Sequence, residues 1–135
     1  MCAKITKCRI GLLFLNMKKT LVIGASPNPD RYAYLATEML KEYKHPVYAF
    51  GLKKGMINET EIQTEWPINE EFDTVTLYVG PQNQAEYFNK VVSLKPKRVI
   101  FNPGTENKEF ENLLIQNNIE PIEACTLVML RTKQF

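Results

Sequence analysis

The stretch Thr20-Leu21-Val22-Ile23-Gly24-Ala25-Ser26-Pro27-Asn28-Pro29-Asp30-Arg31 decides how the rest of this chain is read. Thr20 to Ile23 is a short apolar, partly β-branched run halted by Gly24, the pattern of a strand buried on both faces. Beyond the turn, apolar residues recur at Ala36, Met39, Leu40 and Tyr43, which fall on one face of a helix. Pro46 ends that helix. Val47-Tyr48-Ala49-Phe50 then reads as a second strand, stopped by Gly51. Together these segments make a βαβ unit of the usual size.

The same alternation continues outward. Ile62, Thr64 and Trp66 alternate before Pro67 and predict a short edge strand. Val75 to Val79 is a third clear strand, stopped by Gly80-Pro81, and a helix with Ala85, Phe88 and Val92 on one face follows. Arg98 to Phe101 is a fourth strand, ended by Asn102-Pro103-Gly104. A helix carrying Phe110, Leu113 and Leu114 leads to a short last strand over 119–122, and the tail from Cys125 to Arg131 predicts a final helix. The expected fold is α/β and Rossmann-like: a doubly wound, mostly parallel sheet of about five strands with helices on both faces. Gly24, Gly51, Gly80 and Gly104 each follow a strand, so they converge on the edge where such sheets bind ligands.

Composition narrows the function. A chain of 135 residues, 44% hydrophobic and 24% charged, suits one compact domain. Its net charge of +2 is too small to make nucleic acid or an anionic membrane the main partner. The odd set Cys2, Cys8 and Cys125 has neither disulfide-framework nor zinc spacing, which favours a reducing, cytoplasmic setting. Ile10 to Leu15 is apolar but too short to span a membrane. Met17-Lys18-Lys19 reads as the natural start, leaving 1–16 as a poorly packed extension and 17–135 as a single domain.

The first turn has the chemistry of a phosphate site. Small residues at Gly24, Ala25 and Ser26 allow close approach, and the helix N-terminus supplies N–H donors and a positive dipole end. Ser26 can cap the helix or bond a phosphate oxygen. Arg31 stands beside that positive end, an unfavourable place that a bound anion would relieve; pairing with Asp30 is the competing account. A G-x-G-x-x-G fingerprint is absent, since Ser26 and Pro29 stand where glycines are required. The acid that grips an NAD ribose after the second strand is also absent. Gly51-Leu52-Lys53-Lys54 stands there instead, and two lysines suit a ribose phosphate, as in coenzyme A or NADP; a solvated loop is the plainer reading.

Gly24-Ala25-Ser26-Pro27-Asn28-Pro29-Asp30-Arg31, followed by Tyr34, resembles the GASP-x-P-x-R-x-x-Y opening of small stand-alone CoA-binding domain proteins. Those proteins are similar in turn to the CoA-binding domain of the succinyl-CoA synthetase α subunit. Val79-Gly80-Pro81 and Phe101-Asn102-Pro103-Gly104 fall where that family has its third and fourth strand ends. Glu123-Ala124-Cys125 falls where many members carry D-R-C-P. Two departures stand out: Gly51-Leu52 replaces a frequent Asn-Pro, and Ala124 and Thr126 replace the residues flanking the family cysteine. The resemblance implies a Rossmann fold and a coenzyme A site that includes Tyr34, Pro81, Asn102 and Pro103, with no established reaction. Cys125 is then a candidate thiol near the pantetheine end, against the plainer reading of a buried apolar thiol.

No catalytic residues are assigned. His45 lies at a helix end, where capping or exposure is the simplest account. The acids Glu70-Glu71, Glu106, Glu109 and Glu111 read as solvated turns and helix starts. The expected function is non-catalytic binding or sensing of coenzyme A or an acyl-CoA. Alternatives are a small NADP-dependent oxidoreductase and a regulatory scaffold that has lost its ligand. A homodimer through an exposed helix face is compatible with the sequence, though no segment locates it.

Overall fold

The computed structural model describes residues 17–135, so the expected extension over 1–16, with Cys2 and Cys8, lies outside the described residues. Strand β1 (Thr20–Ile23) is wholly buried and stands at the middle of the sheet. Helix α1 (Tyr32–Glu42) follows, burying Ala33, Ala36, Thr37 and Leu40. It ends because Tyr43 and Lys44 leave helical geometry, Lys44 with φ of 69°, before Pro46. Strand β2 (Val47–Phe50) then pairs in parallel with β1, Thr20 opposite Val47 and Ile23 opposite Phe50.

The remaining elements are β3 (Gly55–Ile57), β4 (Thr60–Gln63), β5 (Thr74–Leu77), α2 (Phe88–Leu94), β6 (Arg98–Phe101), α3 (Lys108–Gln116), β7 (Glu120–Glu123) and α4 (Thr126–Arg131). Two short 3₁₀ turns, Pro81–Asn83 and Ala85–Tyr87, separate β5 from α2. The sheet has seven strands in the order β3-β4-β2-β1-β5-β6-β7. Every described pairing is parallel except β3 with β4, a hairpin turning at Asn58-Glu59.

The expected Rossmann-like, doubly wound architecture is therefore present, with corrections. The sheet has seven strands rather than about five, because Gly55–Ile57 adds a strand that the sequence pattern does not announce. The predicted edge strand ends at Gln63, and Trp66 instead turns in to stack on Tyr87. In the helix after β5, Phe88 and Val92 pack on the core as expected, joined by the fully buried Val91, whereas Ala85 is exposed in the preceding 3₁₀ turn. The 3₁₀ turn, at three residues per turn, takes Ala85 out of register with that face and buries Tyr87 instead.

Two apolar layers cover the sheet. Leu21, Ile23, Val75, Leu77, Val99 and Phe101 pack on one face with Val91 of α2 and Phe110 and Leu114 of α3. Val22, Ala49 and Ile62 face the other way, with Leu40 of α1 and Leu130 of α4. Consecutive side chains of β1 thus feed opposite layers, as the two-residue period of a strand requires. Strand order reverses between β1 and β5, which opens a crevice at the carboxyl ends of these two strands. No helix among the described residues is long and apolar enough to cross a membrane.

Candidate functional site

Two clefts open at that switch point and meet at the first turn. The first, about 430 Å³, is lined by Gly24, Ala25, Ser26 and Pro27 of that turn. Phe50, Gly51, Leu52 and Lys53 from the end of β2 form another side, and Val79, Asn83, Glu86 and Tyr87 from the segment after β5 complete it. The second, about 360 Å³, shares Gly24 and Ser26 and adds Arg31, Tyr32, Ala33, Tyr78, Gly80, Pro103, Gly104 and Thr105. An elongated ligand crossing Gly24 and Ser26 could occupy both.

The turn between them is fixed from within. The Gly24 and Ala25 amides both donate to the Phe50 carbonyl, at 3.0 and 2.9 Å, which ties the turn to the end of β2. Gly24 adopts φ of +99°, a left-handed conformation that favours glycine. Gly51 is needed for space: a Cβ there would sit 2.3 Å from the Ala25 carbonyl oxygen. The Asn28 amide donates to Ser26 Oγ, and the Asp30 amide to Asn28 Oδ1. Those internal bonds make the turn rigid and leave Gly24 and Ala25 no amide hydrogen for a ligand.

The available donors lie one step further on. Among the described residues, the Ser26, Tyr32 and Ala33 amides have no partner within the protein, and all three residues line the second cleft. Helix α1 begins at Arg31 with no side-chain cap and no acid in its first turn. Helix starts usually carry one or the other, to satisfy orphan N–H groups and complement the dipole. The Arg31 guanidinium is exposed and makes no ion pair among the described residues; Asp30 does not take it. A cation and unfilled amides therefore share one place, where an anion satisfies both.

Not all of the expected residues reach the clefts. Lys53 lines the first, whereas Lys54 is exposed outside both. Tyr34 is half-buried against the α1-side core, and Pro81 starts the first 3₁₀ turn. Asn102 is 2% exposed and acts as a clamp. Its Nδ2 donates to Thr76 Oγ1 and the Leu77 carbonyl at 2.7 and 2.8 Å, and its Oδ1 accepts the Thr126 amide at 2.9 Å. Pro103 and Gly104 line the second cleft, but the Gly104 amide is engaged by Glu106 Oε1.

Cys125 is half-buried just before α4 and neighbours the Tyr78 phenol. That hydroxyl is buried without a hydrogen-bond partner, while the nearby Thr76 and Thr126 hydroxyls bond each other at 2.8 Å. Burial pushes the Tyr78 pKa well up. His45 is half-buried and does cap the helix end, through its backbone: its amide donates to the Leu40 carbonyl at 2.9 Å, after the Lys44 amide donates to the Lys41 carbonyl. Its Nδ1 accepts the Lys18 amide at 2.9 Å and its ring packs on Phe135, so burial, then Lys18 and Arg98, hold its pKa down. Glu111 is also buried rather than solvated, and burial followed by Glu123 raises its pKa.

Residues 18–131 match the model of a family described as the CoA binding domain. The chain belongs to the CoA-binding domain family. A solved structure described as an uncharacterized protein is 55% identical, with a TM-score of 0.85 over 88% of this chain and 98% of that one. A Thermus thermophilus protein, 21% identical over 94% of this chain and 97% of its own, has a TM-score of 0.76. A hypothetical protein from Pyrococcus horikoshii, 23% identical over 92% of this chain and 89% of its own, has a TM-score of 0.79. The last two likenesses speak for the fold alone. No curated protein matches the chain.

Within this CoA-binding domain, sequence reasoning missed Leu52, Asn83, Glu86, Tyr87, Tyr32 and Thr105 as lining residues. Leu52, which follows the strand-ending Gly51, is 85% exposed, apolar surface that a ligand in the cleft would cover. Asn83 and Glu86 carry no sequence signal. They enter the cleft because two 3₁₀ turns bend the chain back over it after β5.

Proposed function

We propose that this protein binds coenzyme A or an acyl-CoA as a non-catalytic binding or sensing module, with the ligand lying across the first turn. The observation that carries the reading is the pair of clefts joined at Gly24 and Ser26, beside an uncapped helix start where Arg31 has no acidic partner. The pyrophosphate would meet the Ser26, Tyr32 and Ala33 amides and Arg31. The adenosine would fill the cleft between the ends of β2 and β5, where Lys53 suits a ribose phosphate. Pantetheine would continue through the second cleft towards Tyr78, with Cys125 beyond it. Membership of the CoA-binding domain family supports this choice of ligand.

A thermal-shift screen of coenzyme A, acetyl-CoA, NAD, NADP and ADP tests it. Ligand at about 100 times its dissociation constant stabilises a fold by about 2.7 kcal/mol, an upward shift of about 10 °C for a domain of this size. Coenzyme A is expected to give that shift. Stabilisation by NADP alone would support the oxidoreductase reading, and silence from all five would support a ligand-free scaffold. Arg31→Ala is expected to weaken coenzyme A binding and its salt dependence while leaving ligand-free stability within about 0.5 kcal/mol, since the side chain is exposed.

A further inference from the structure

Gln84 lines neither cleft, yet it ties their walls together. It is fully buried, at 0% exposure, where the two 3₁₀ turns meet. Its Nε2 donates to the Val79 carbonyl at 2.8 Å and to the Thr105 carbonyl at 2.7 Å. Val79 belongs to the wall of the first cleft and Thr105 to that of the second. Neither carbonyl accepts a backbone amide. Among the described residues, Gln84 is the one hydrogen-bonded link between the segment 79–87 and the loop 102–107.

Two carbonyls converging on one atom call for a nitrogen bearing two hydrogens, which carboxylate, hydroxyl and apolar side chains all lack. The amide is oriented by them, since turned over it would set Oε1 against both carbonyls. It thus satisfies two acceptors and leaves one, its own Oε1, buried without a partner. Beyond Thr105 the network continues. The Thr105 amide and Oγ1 both donate to the Asn102 carbonyl, at 2.9 and 2.8 Å, and the Asn102 side chain holds the Leu77 carbonyl. Val79, Gln84, Thr105, Asn102 and Leu77 therefore close a ring that leaves and rejoins the chain at the end of β5. With that ring closed, the two walls keep one spacing before a ligand arrives. Binding then orders fewer groups, a gain felt only by a ligand that touches both walls.

We propose that Gln84 is a positioning residue that couples the two clefts, fixing the spacing on which a ligand lying across both depends. This rests on the coenzyme A reading above and extends it to how the two halves of the site act together. Calorimetric titration with coenzyme A, and with adenosine 3′-phosphate as a probe of the first cleft alone, tests it. The variant is Gln84→Met, close in volume and without a donor. It is expected to bind coenzyme A about tenfold more weakly but adenosine 3′-phosphate less than about threefold more weakly, so that the ratio of the two affinities falls. A purely structural role would lower the melting temperature and leave that ratio unchanged, which would overturn the coupling while coenzyme A binding stands. Gln84 is buried, so a measurement on the wild type keeps the test open if the variant does not fold. Saturation with adenosine 3′-phosphate is expected to shift the amide NMR signal of Thr105, at the cleft this probe does not enter; an unmoved signal would equally overturn the coupling. Failure of the wild type to bind coenzyme A would remove both readings.

Discussion

Replacing Gly51 by alanine tests the architecture of the site through a single methyl group. That Cβ would lie 2.3 Å from the Ala25 carbonyl oxygen, 3.2 Å from the Ala25 carbonyl carbon and 3.1 Å from Ile62 Cγ2. Two of these are backbone atoms that cannot rotate away. The Ala25 amide is held on Phe50 at 2.9 Å and the Gly51 amide on Gln63 at 3.0 Å, so neither segment is free to retreat. Gly51 has no left-handed φ, and the cost is therefore steric. Overpacking of this kind costs about 1–3 kcal/mol, which lowers the melting temperature by about 3–15 °C in a domain of this size. Gly104→Ala is the contrasting variant: nothing lies within 4 Å of its Cβ, and only the φ of +92° penalises it. Calorimetry with and without saturating coenzyme A reads both. Gly51→Ala should lose stability and also part of the ligand-induced shift, because it moves the turn shared by both clefts. A Gly51→Ala protein melting within about 1 °C of wild type, with an undiminished ligand shift, would refute the reasoning.

Groups away from the turn give further expected outcomes. Asn102→Ala takes a bond from the Leu77 carbonyl and the Thr126 amide, while Thr76 Oγ1 keeps the Thr126 hydroxyl. At about 1–3 kcal/mol for each buried group left unsatisfied, the loss should reach about 2 kcal/mol or more in urea unfolding; a loss under about 1 kcal/mol would show that the clamp is not holding α4. The His45 pKa is held below its ordinary 6.5, so the folded state takes up its proton later than the unfolded chain. That contribution is complete above pH 6.5 and is lost as pH falls towards the folded value. His45→Gln should accordingly show a smaller drop in urea midpoint than wild type between pH 7.5 and pH 5, and equal drops would contradict this. Glu111 has the opposite sign: its raised pKa makes ionisation costlier in the fold, so stability falls as pH rises from 4.5 through the folded value. Glu111→Gln should raise the urea midpoint at pH 7 and lose that advantage at pH 4, whereas a lower midpoint at pH 7 would mean that Lys108, 3.9 Å away, outweighs burial.

The strands β1, β2 and β6 have the boundaries that the sequence predicts, because each is a short, mostly apolar and buried run with lysine or proline before it and glycine or asparagine after it. The β3–β4 hairpin was illegible for the opposite reason. Gly55-Met56-Ile57 is three residues long, with Met56 half exposed, and its turn depends on Asn58 at φ of 51° followed by Glu59 rather than glycine. At the site, the turn from Gly24 to Pro27 and the cation at Arg31 could be read directly, since strand, turn and helix start are contiguous. Glu86 and Asn83 could not, because their direction depends on the phase of two 3₁₀ turns. Asn102 shows a different limit: its place after β6 was legible, but the bonds that consume its amide come from β5 and α4.

Trp66 is the chain's single tryptophan, and its ring stacks on Tyr87 with centroids 5.8 Å apart and planes inclined by 22°. Phe50 closes edge-on against both rings, at 5.2 and 5.9 Å. Phe50 and Tyr87 also line the first cleft, so the indole stands one side chain behind the cleft wall. Its emission colour and yield depend on how those neighbours sit. The protein therefore carries its own optical gauge, and occupancy of the cleft can be followed in real time without attaching a dye.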